Sequence, residues 1–238
     1  MLKDRQKDIL EAVVREYIRT AKPVASRDLA ETFSYDISPA TIRNELGILS
    51  DLEYLEKPHT SAGRIPTDLA YRFFVDHLIH PSSLTSKERE SLDELLLIRK
   101  QNDFLRVLGK TLTGLCGAFA AAATVDERHI HIAGLAKILK EPEFKERRNL
   151  QTFIRFIEAL DEKLYDVVDA WETYGRETIF IGRENPFEDA DDYTVMITEW
   201  QHPAGFEGFV ALVGPMRMNY QKNIAVMNHI RNFFDQPE

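Results

Sequence analysis

The stretch SPATIRNELGILSDLEYLEKPHTSAGRIPT, Ser38 to Thr67, decides how the chain is read. Ser38 is an N-cap candidate and Pro39 suits the first helical position, where its missing N–H has no intrahelical partner to lose. From there Ile42, Leu46 and Leu49 recur at helical spacing and predict a buried stripe. The opposite side carries Ala40, Asn44 and Gly47, with Thr41 and Arg43 on the flanks. A solvated helix face usually carries more Lys and Glu. Small residues instead allow close approach, Asn can bond adenine edges and Arg guanine edges, so this face suits a DNA groove. The following LEKPHTSAGRIPT, Leu55 to Thr67, reads as two short extended arms around a His59 to Gly63 tip. Pro58 and Pro66 discourage helix and Gly63 permits a tight turn. Such a finger offers the hydroxyls of Thr60 and Ser61, backbone donors and the Arg64 guanidinium to phosphates or a narrow minor groove. His59 reads equally as a contact or as a plain polar turn residue.

Upstream, Lys3 to Arg19 is an amphipathic helix with Ile9, Leu10, Val13, Tyr17 and Ile18 on one face. Pro23 breaks it, Ser26 is the expected N-cap of a short helix burying Leu29 and Phe33, and SYDI makes a second turn. Helix, short helix, turn, helix and finger is the layout of a winged helix-turn-helix, with any three-helix bundle as the plain alternative.

Downstream, YRFFVDHLIH (Tyr71 to His80) is a short amphipathic segment and PSSLTS interrupts it. The boundary is placed there, giving domains 1–80 and 87–238 with a linker at 81–86. A long helix is expected from Lys87 to about Phe119. Its Leu105, Leu108, Leu112, Leu115 and Phe119 form a heptad-like seam, read equally as internal packing or a dimer contact. Another helix is expected at Leu150 to Trp171, with Phe153, Ile154, Ile157, Leu160, Leu164, Val167 and Trp171 on one side. ETIFIG, YTVMIT and GFVALVG then read as strands of a small antiparallel sheet, and a final helix from Tyr220 to Phe234 buries Ile224, Met227 and Ile230.

Charge and composition narrow the function. Thirty Lys and Arg against 39 Asp and Glu give a net charge of −9, which opposes indiscriminate nucleic-acid coating. Residues 1–80 hold 11 basic and 13 acidic side chains, so most of the acid lies beyond them. No stretch reaches the roughly 20 apolar residues of a membrane span, and MLKDRQKDIL lacks the apolar block of a secretory signal. A lone cysteine, Cys116, is expected to pack rather than react, which fits a reducing cytoplasm. His129 and His131, with Glu127 nearby, have a spacing that can seed a metal site, but exposed strand histidines are the simpler reading. Phosphate loop, nucleotide fingerprint, GxSxG and HExxH motifs are all missing, and FEDADD (Phe187 to Asp192) reads as a solvated loop. The expectation is no enzyme, no cofactor and no metal.

SPATIRNEL followed by YLEKPHTSAGRIPTDLAYR resembles the HrcA family of heat-inducible transcription repressors over about residues 5–79, PVASRDLA at Pro23 to Ala30 included. DLAYR departs from the family, which commonly has Lys and Gly before the Tyr. EPEF (Glu141 to Phe144), FIGRENP (Phe180 to Pro186) and GPMRMNY (Gly214 to Tyr220) look like further landmarks in the expected order. The resemblance implies an α+β fold class: an N-terminal winged helix-turn-helix followed by an abbreviated GAF-like α+β domain, for regulation and dimerisation. The family's inserted dimerising domain is reduced between about Leu115 and Glu141. It further implies a homodimer on an inverted-repeat operator of chaperone genes, and the chaperonin GroEL as a partner. In this reading Thr41, Arg43 and Asn44 read base edges, Ser26, Arg27 and Ser38 position phosphates, and Thr60, Ser61 and Arg64 hold the flanking backbone. Two alternatives stay open: a winged-helix regulator whose GAF-like domain senses a small ligand, and an interaction module with a vestigial winged helix.

Overall fold

A computed structural model describes residues 2–33, 37–59, 62–80, 82–125, 129–170 and 177–232. The chain divides into two compact units, 1–80 and 81–238.

In the first unit, α1 (Asp4–Thr20) buries Ile9, Leu10, Val13 and Val14, and ends at Ala21 in the left-handed region. α2 (Ser26–Thr32) starts one residue earlier than expected. Ala25, not Ser26, is the N-cap, and its N–H is held by the Asp28 carboxylate at 3.2 Å. Ser26 is thereby the first helical residue, its hydroxyl not spent on a cap. The expected turn at Ser34, Tyr35 and Asp36 lies outside the described residues. α3 (Pro39–Asp51) follows the sequence pattern: the Ser38 hydroxyl accepts the Thr41 N–H, and Ile42, Leu46 and Leu49 are buried. β1 (Leu55–Glu56) pairs antiparallel with β2 (Ile65–Pro66), and Val24 bridges Arg64 through two 2.8 Å backbone bonds. A three-stranded wing results, with its first strand reduced to one residue. α4 (Asp68–Phe73) is capped by Thr67 and continues as a π-helical turn to Leu78.

The second unit breaks the expected long helix into α5 (Ser86–Asp93), a 3-10 turn over Glu94–Leu97, and α6 (Gln101–Cys116). The stretch expected to link the units packs here instead: Leu84 is buried and the Ser82 N–H reaches the Gln221 carbonyl. Gly117, at φ 71°, stops α6, so Phe119 belongs to a strand rather than to the helical seam. Leu105, Leu108 and Leu112 are fully buried against this unit's own elements, so they pack internally and are not available to a second copy. The sheet has five strands in the order β4 (Ile130–Ala133), β3 (Phe119–Thr124), β7 (Glu207–Pro215), β6 (Tyr193–Gln201), β5 (Glu177–Ile181), all antiparallel. β3 is not foreseen by the sequence, whereas β4 contains His131, one of the two histidines read as strand residues. The run Ala120–Ala123 is a strand because it lies between two partners with both faces covered.

After the short α7 (Leu135–Ile138), one sheet face, with Phe119, Ala121, Val195, Ile197, Phe209 and Ala211, packs on α8 (Arg147–Asp169) through Phe153, Phe156, Leu160 and Leu164. Ile154, expected in that stripe, is 41% exposed, and Trp171 lies outside the described residues. α6 and α9 (Tyr220–Arg231) cover the other face, and Ile224, Met227 and Ile230 are buried as the spacing predicts. EPEF and GPMRMNY meet through Arg217: its Nε lies 2.5 Å from Glu143, 74 residues away in sequence, and its Nη2 lies 2.6 Å from Glu141. In FIGRENP, the Asn185 amide donates to the carbonyls of Gly182, Ala190 and Tyr193 and closes the loop after β5. All three landmarks make contacts that hold the fold together.

Candidate nucleic-acid interface

Capping and a buried stripe fix the rotation of α3, and that rotation decides what faces outward. Ala40, Arg43 and Asn44 are exposed, while Thr41 and Gly47 are half-buried. The Asn44 side is therefore outside the core, as a reading helix needs. Glu45, the acid nearest this face, is drawn toward α1 by the Gln6 amide at 3.1 Å. Ser38 and Thr41 hydroxyls lie 3.0 Å apart at the start of the helix, so Ser38 serves first as a cap. Arg27 is exposed beside Asp28 at 3.5 Å.

The wing differs from expectation in how Arg64 is used. It is not a tip residue. Its backbone is locked to Val24, and its Nε donates to Ser50 Oγ at 2.8 Å, tying the wing to the end of α3. His59 is exposed and its carbonyl accepts the Ala62 N–H, a turn-closing role. Thr60 and Ser61 lie outside the described residues.

A cleft of about 300 Å³ opens between the start of α2, α3 and the wing, lined by Ser26, Arg43, Lys57, Gly63 and Arg64 with Leu46 at its floor. It brings three cations together from two segments. None of its lining residues is acidic. Sequence reasoning missed Lys57; a cation immediately before Pro58 in the finger was the only local signal. Gly63 sits where a Cβ would lie 2.4 Å from the Val24 carbonyl oxygen, so only glycine allows the wing to pass this close.

Elsewhere the chemistry is sparse. Burial pushes the Cys116 thiol up to about 12, leaving little nucleophilic thiolate at neutral pH. His131 is held below its ordinary value by burial and by His129, Arg106 and Lys110, and Glu127 lies outside the described residues. Among the described residues no group of three His, Cys, Asp or Glu side chains could hold a metal ion, and no helix is long and apolar enough to cross a membrane.

Comparison with known proteins shows the family. Residues 1–77 match the family described as winged helix-turn-helix transcription repressor, HrcA DNA-binding, and residues 72–224 match the HrcA protein C terminal domain. The heat-inducible transcription repressor HrcA of Carboxydothermus hydrogenoformans is 40% identical over 144 residues, covering 60% of this chain and 42% of that protein. That of Halalkalibacterium halodurans is 54% identical over 101 residues, covering 42% and 29%. These aligned stretches span less than half of each relative. With HrcA of Thermoanaerobacter pseudethanolicus the match is 26% over 329 positions, covering 95% of this chain and 94% of the relative. An alignment that long on 238 residues means the relative has residues with no counterpart here. A crystal structure of a protein described as hypothetical shares the fold, with a TM-score of 0.75 at 20% identity over 98% of this chain and 97% of that one.

Proposed function

Since this chain belongs to the HrcA family of heat-inducible transcription repressors, we propose that it is itself a sequence-specific repressor that binds double-stranded DNA through the winged helix. One observation carries the reading. The exposed side of α3 is small and hydrogen-bonding at Ala40, Asn44 and Gly47, and it adjoins a cationic, acid-free cleft in a chain whose net charge is −9. Attraction to phosphate is thus concentrated on one face, which limits binding elsewhere on the molecule.

In this proposal Asn44 and Thr41 meet base edges in the major groove. Ser26, Arg27 and Ser38 approach the flanking phosphates, and His59, Thr60 and Ser61 follow the backbone from the wing. One bidentate contact supplies about 1–3 kcal/mol of discrimination. Two copies on an inverted repeat of chaperone-gene operators supply the rest, through the effective concentration of the second site. The second unit, with its antiparallel sheet covered by helices on both faces, serves as a GAF-like regulatory and dimerisation domain in this proposal. Family membership supports GroEL as the partner that keeps the repressor active, and a cytoplasmic location beside the chromosome.

The test is selection of duplexes from a randomised pool by the full chain, then titration of the selected and a scrambled duplex. Enrichment of an inverted repeat, lost in Asn44→Ala, is expected. Equal affinity for selected and scrambled duplex sinks the proposal. Adding GroEL during refolding should raise the active fraction, and no effect removes that partner.

A second reading, ligand sensing, draws on Asn223. It is fully buried, and both amide atoms lack a hydrogen-bond partner among the described residues. Such a group costs about 1–3 kcal/mol unless something pairs with it. A metabolite that raised the unfolding temperature and changed operator affinity would establish this reading.

A further inference from the structure

Arg43 and Asn44 are neighbours in sequence but face different things. One helical residue turns the direction by about 100°. Arg43 shares its side of α3 with Leu46, three residues on, and both line the cleft with Lys57 and Arg64; Asn44 and Gly47 lie outside that lining. Arg43 thus lies on the wing side of α3, away from the direction in which Asn44 looks. Arg64 is held in place by Ser50, so it can act as a fixed wall of the cleft. Arg43 and Lys57 are exposed, and neither has a carboxylate partner among the described residues.

Three like charges around one opening repel one another, and an anion between them turns that repulsion into attraction. The cleft volume, about 300 Å³, is ample for a phosphodiester group. Ser26 adds a hydroxyl donor on the remaining side.

We propose that this cleft seats one phosphate of the DNA backbone, clamped by Arg43, Lys57 and Arg64, so that Arg43 holds the backbone rather than reading a base. The inference rests on the duplex-binding reading above and adds Lys57 to its machinery. The clamp sets the register of α3 in the groove, and base choice falls to the Thr41 and Asn44 side.

Dissociation constants across a range of salt concentrations test it, for wild type, Lys57→Ala, Arg43→Ala and Asn44→Ala on the pool-selected duplex and on a scrambled duplex. Loss of one phosphate contact should lower the slope of log affinity against log salt by about 0.9, which near physiological salt is a loss of roughly fivefold. Lys57→Ala and Arg43→Ala should each weaken both duplexes by the same factor. Asn44→Ala should weaken only the selected one. An Arg43→Ala protein with an unchanged salt slope and a reduced selected-to-scrambled ratio makes Arg43 a base reader and overturns the clamp. An unchanged slope in Lys57→Ala overturns it as well. Should the pool yield no preferred sequence, the repressor reading fails by itself, and the slopes on scrambled duplex still decide the clamp. Wild type that binds neither duplex ends both.

Discussion

Gly63→Ala probes the join between the wing and the rest of the DNA-binding unit. A Cβ there would lie 2.4 Å from the Val24 carbonyl oxygen, 2.5 Å from its carbon and 2.8 Å from the Pro23 carbonyl carbon. All three are backbone atoms, so no side chain can rotate away. The wing must separate from residues 23 and 24, and the 2.8 Å bonds from Val24 N–H to Arg64 O and from Arg64 N–H to Val24 O go with it. Two backbone bonds at about 1 kcal/mol each, with about 1–3 kcal/mol for overpacking, amount to about 3–5 kcal/mol. If the strain is relieved by local opening, amide exchange at Val24 and Arg64 should accelerate at least about a hundredfold, since each 1.4 kcal/mol is a factor of ten. Exchange in β6 and β7 of the other unit should not change. Affinity should fall for every duplex alike, because the cleft walls at Arg64 and Lys57 move with the wing. Wild-type protection at both amides together with wild-type DNA affinity would refute the argument that this close approach positions the wing.

Gly47→Ala should act in the opposite sense on stability, because a Cβ there meets nothing within 4 Å and Ala is the better helix former by about 0.5–1 kcal/mol. The added methyl lies on the Asn44 side, so a higher unfolding temperature should come with weaker binding of the selected duplex. Arg217→Met leaves Glu141 and Glu143 facing each other without their shared cation; with both acids partly exposed, a loss of roughly 2 kcal/mol is expected in urea unfolding of the second unit. An unchanged midpoint would show that the two landmarks meet without mutual support. His202 supplies a pH dependence. Its Nδ1 accepts the Ala204 N–H at 3.0 Å, so the ring is neutral with its proton on Nε2, which faces the Leu95 carbonyl. Burial holds it below its ordinary value, so the folded chain binds fewer protons than the unfolded one. Its contribution to stability is whole above about pH 6.5 and drains as the pH falls toward the depressed native value. An NMR titration placing His202 at or above its unfolded value would contradict this.

What could be read from the sequence was what is decided locally. Ser38, Pro39 and the stripe Ile42, Leu46, Leu49 specify α3 within four turns, and Pro58, Gly63 and Pro66 bound the wing within nine residues. The same logic located β5, β6, β7 and α9. It failed where distant partners decide. Ala120 to Ala123 has helical propensity and becomes a strand only because β4 and β7 lie on either side. The break between α5 and α6 carries no Pro or Gly, so a continuous helix from Lys87 was the local answer. In the interface, Asn44 was legible as an outward residue. The convergence of Arg43 with Lys57 was not, because it depends on where the wing folds back. Arg64 looked like a tip residue until its ties to Val24 and Ser50 placed it in the wing's base.

The chain has two tryptophans, Trp171 and Trp200, and both belong to the second unit; residues 1–80 have none. Trp200 is enclosed beside Phe104 and Phe206. Indole fluorescence of the unmodified protein therefore follows the second unit alone. A heat- or urea-induced loss of the wing would pass unseen in that signal, so a melting curve recorded at tryptophan wavelengths does not report when DNA is released. A tryptophan introduced at exposed Leu52 would give the first unit its own optical reporter and show whether the two halves melt together.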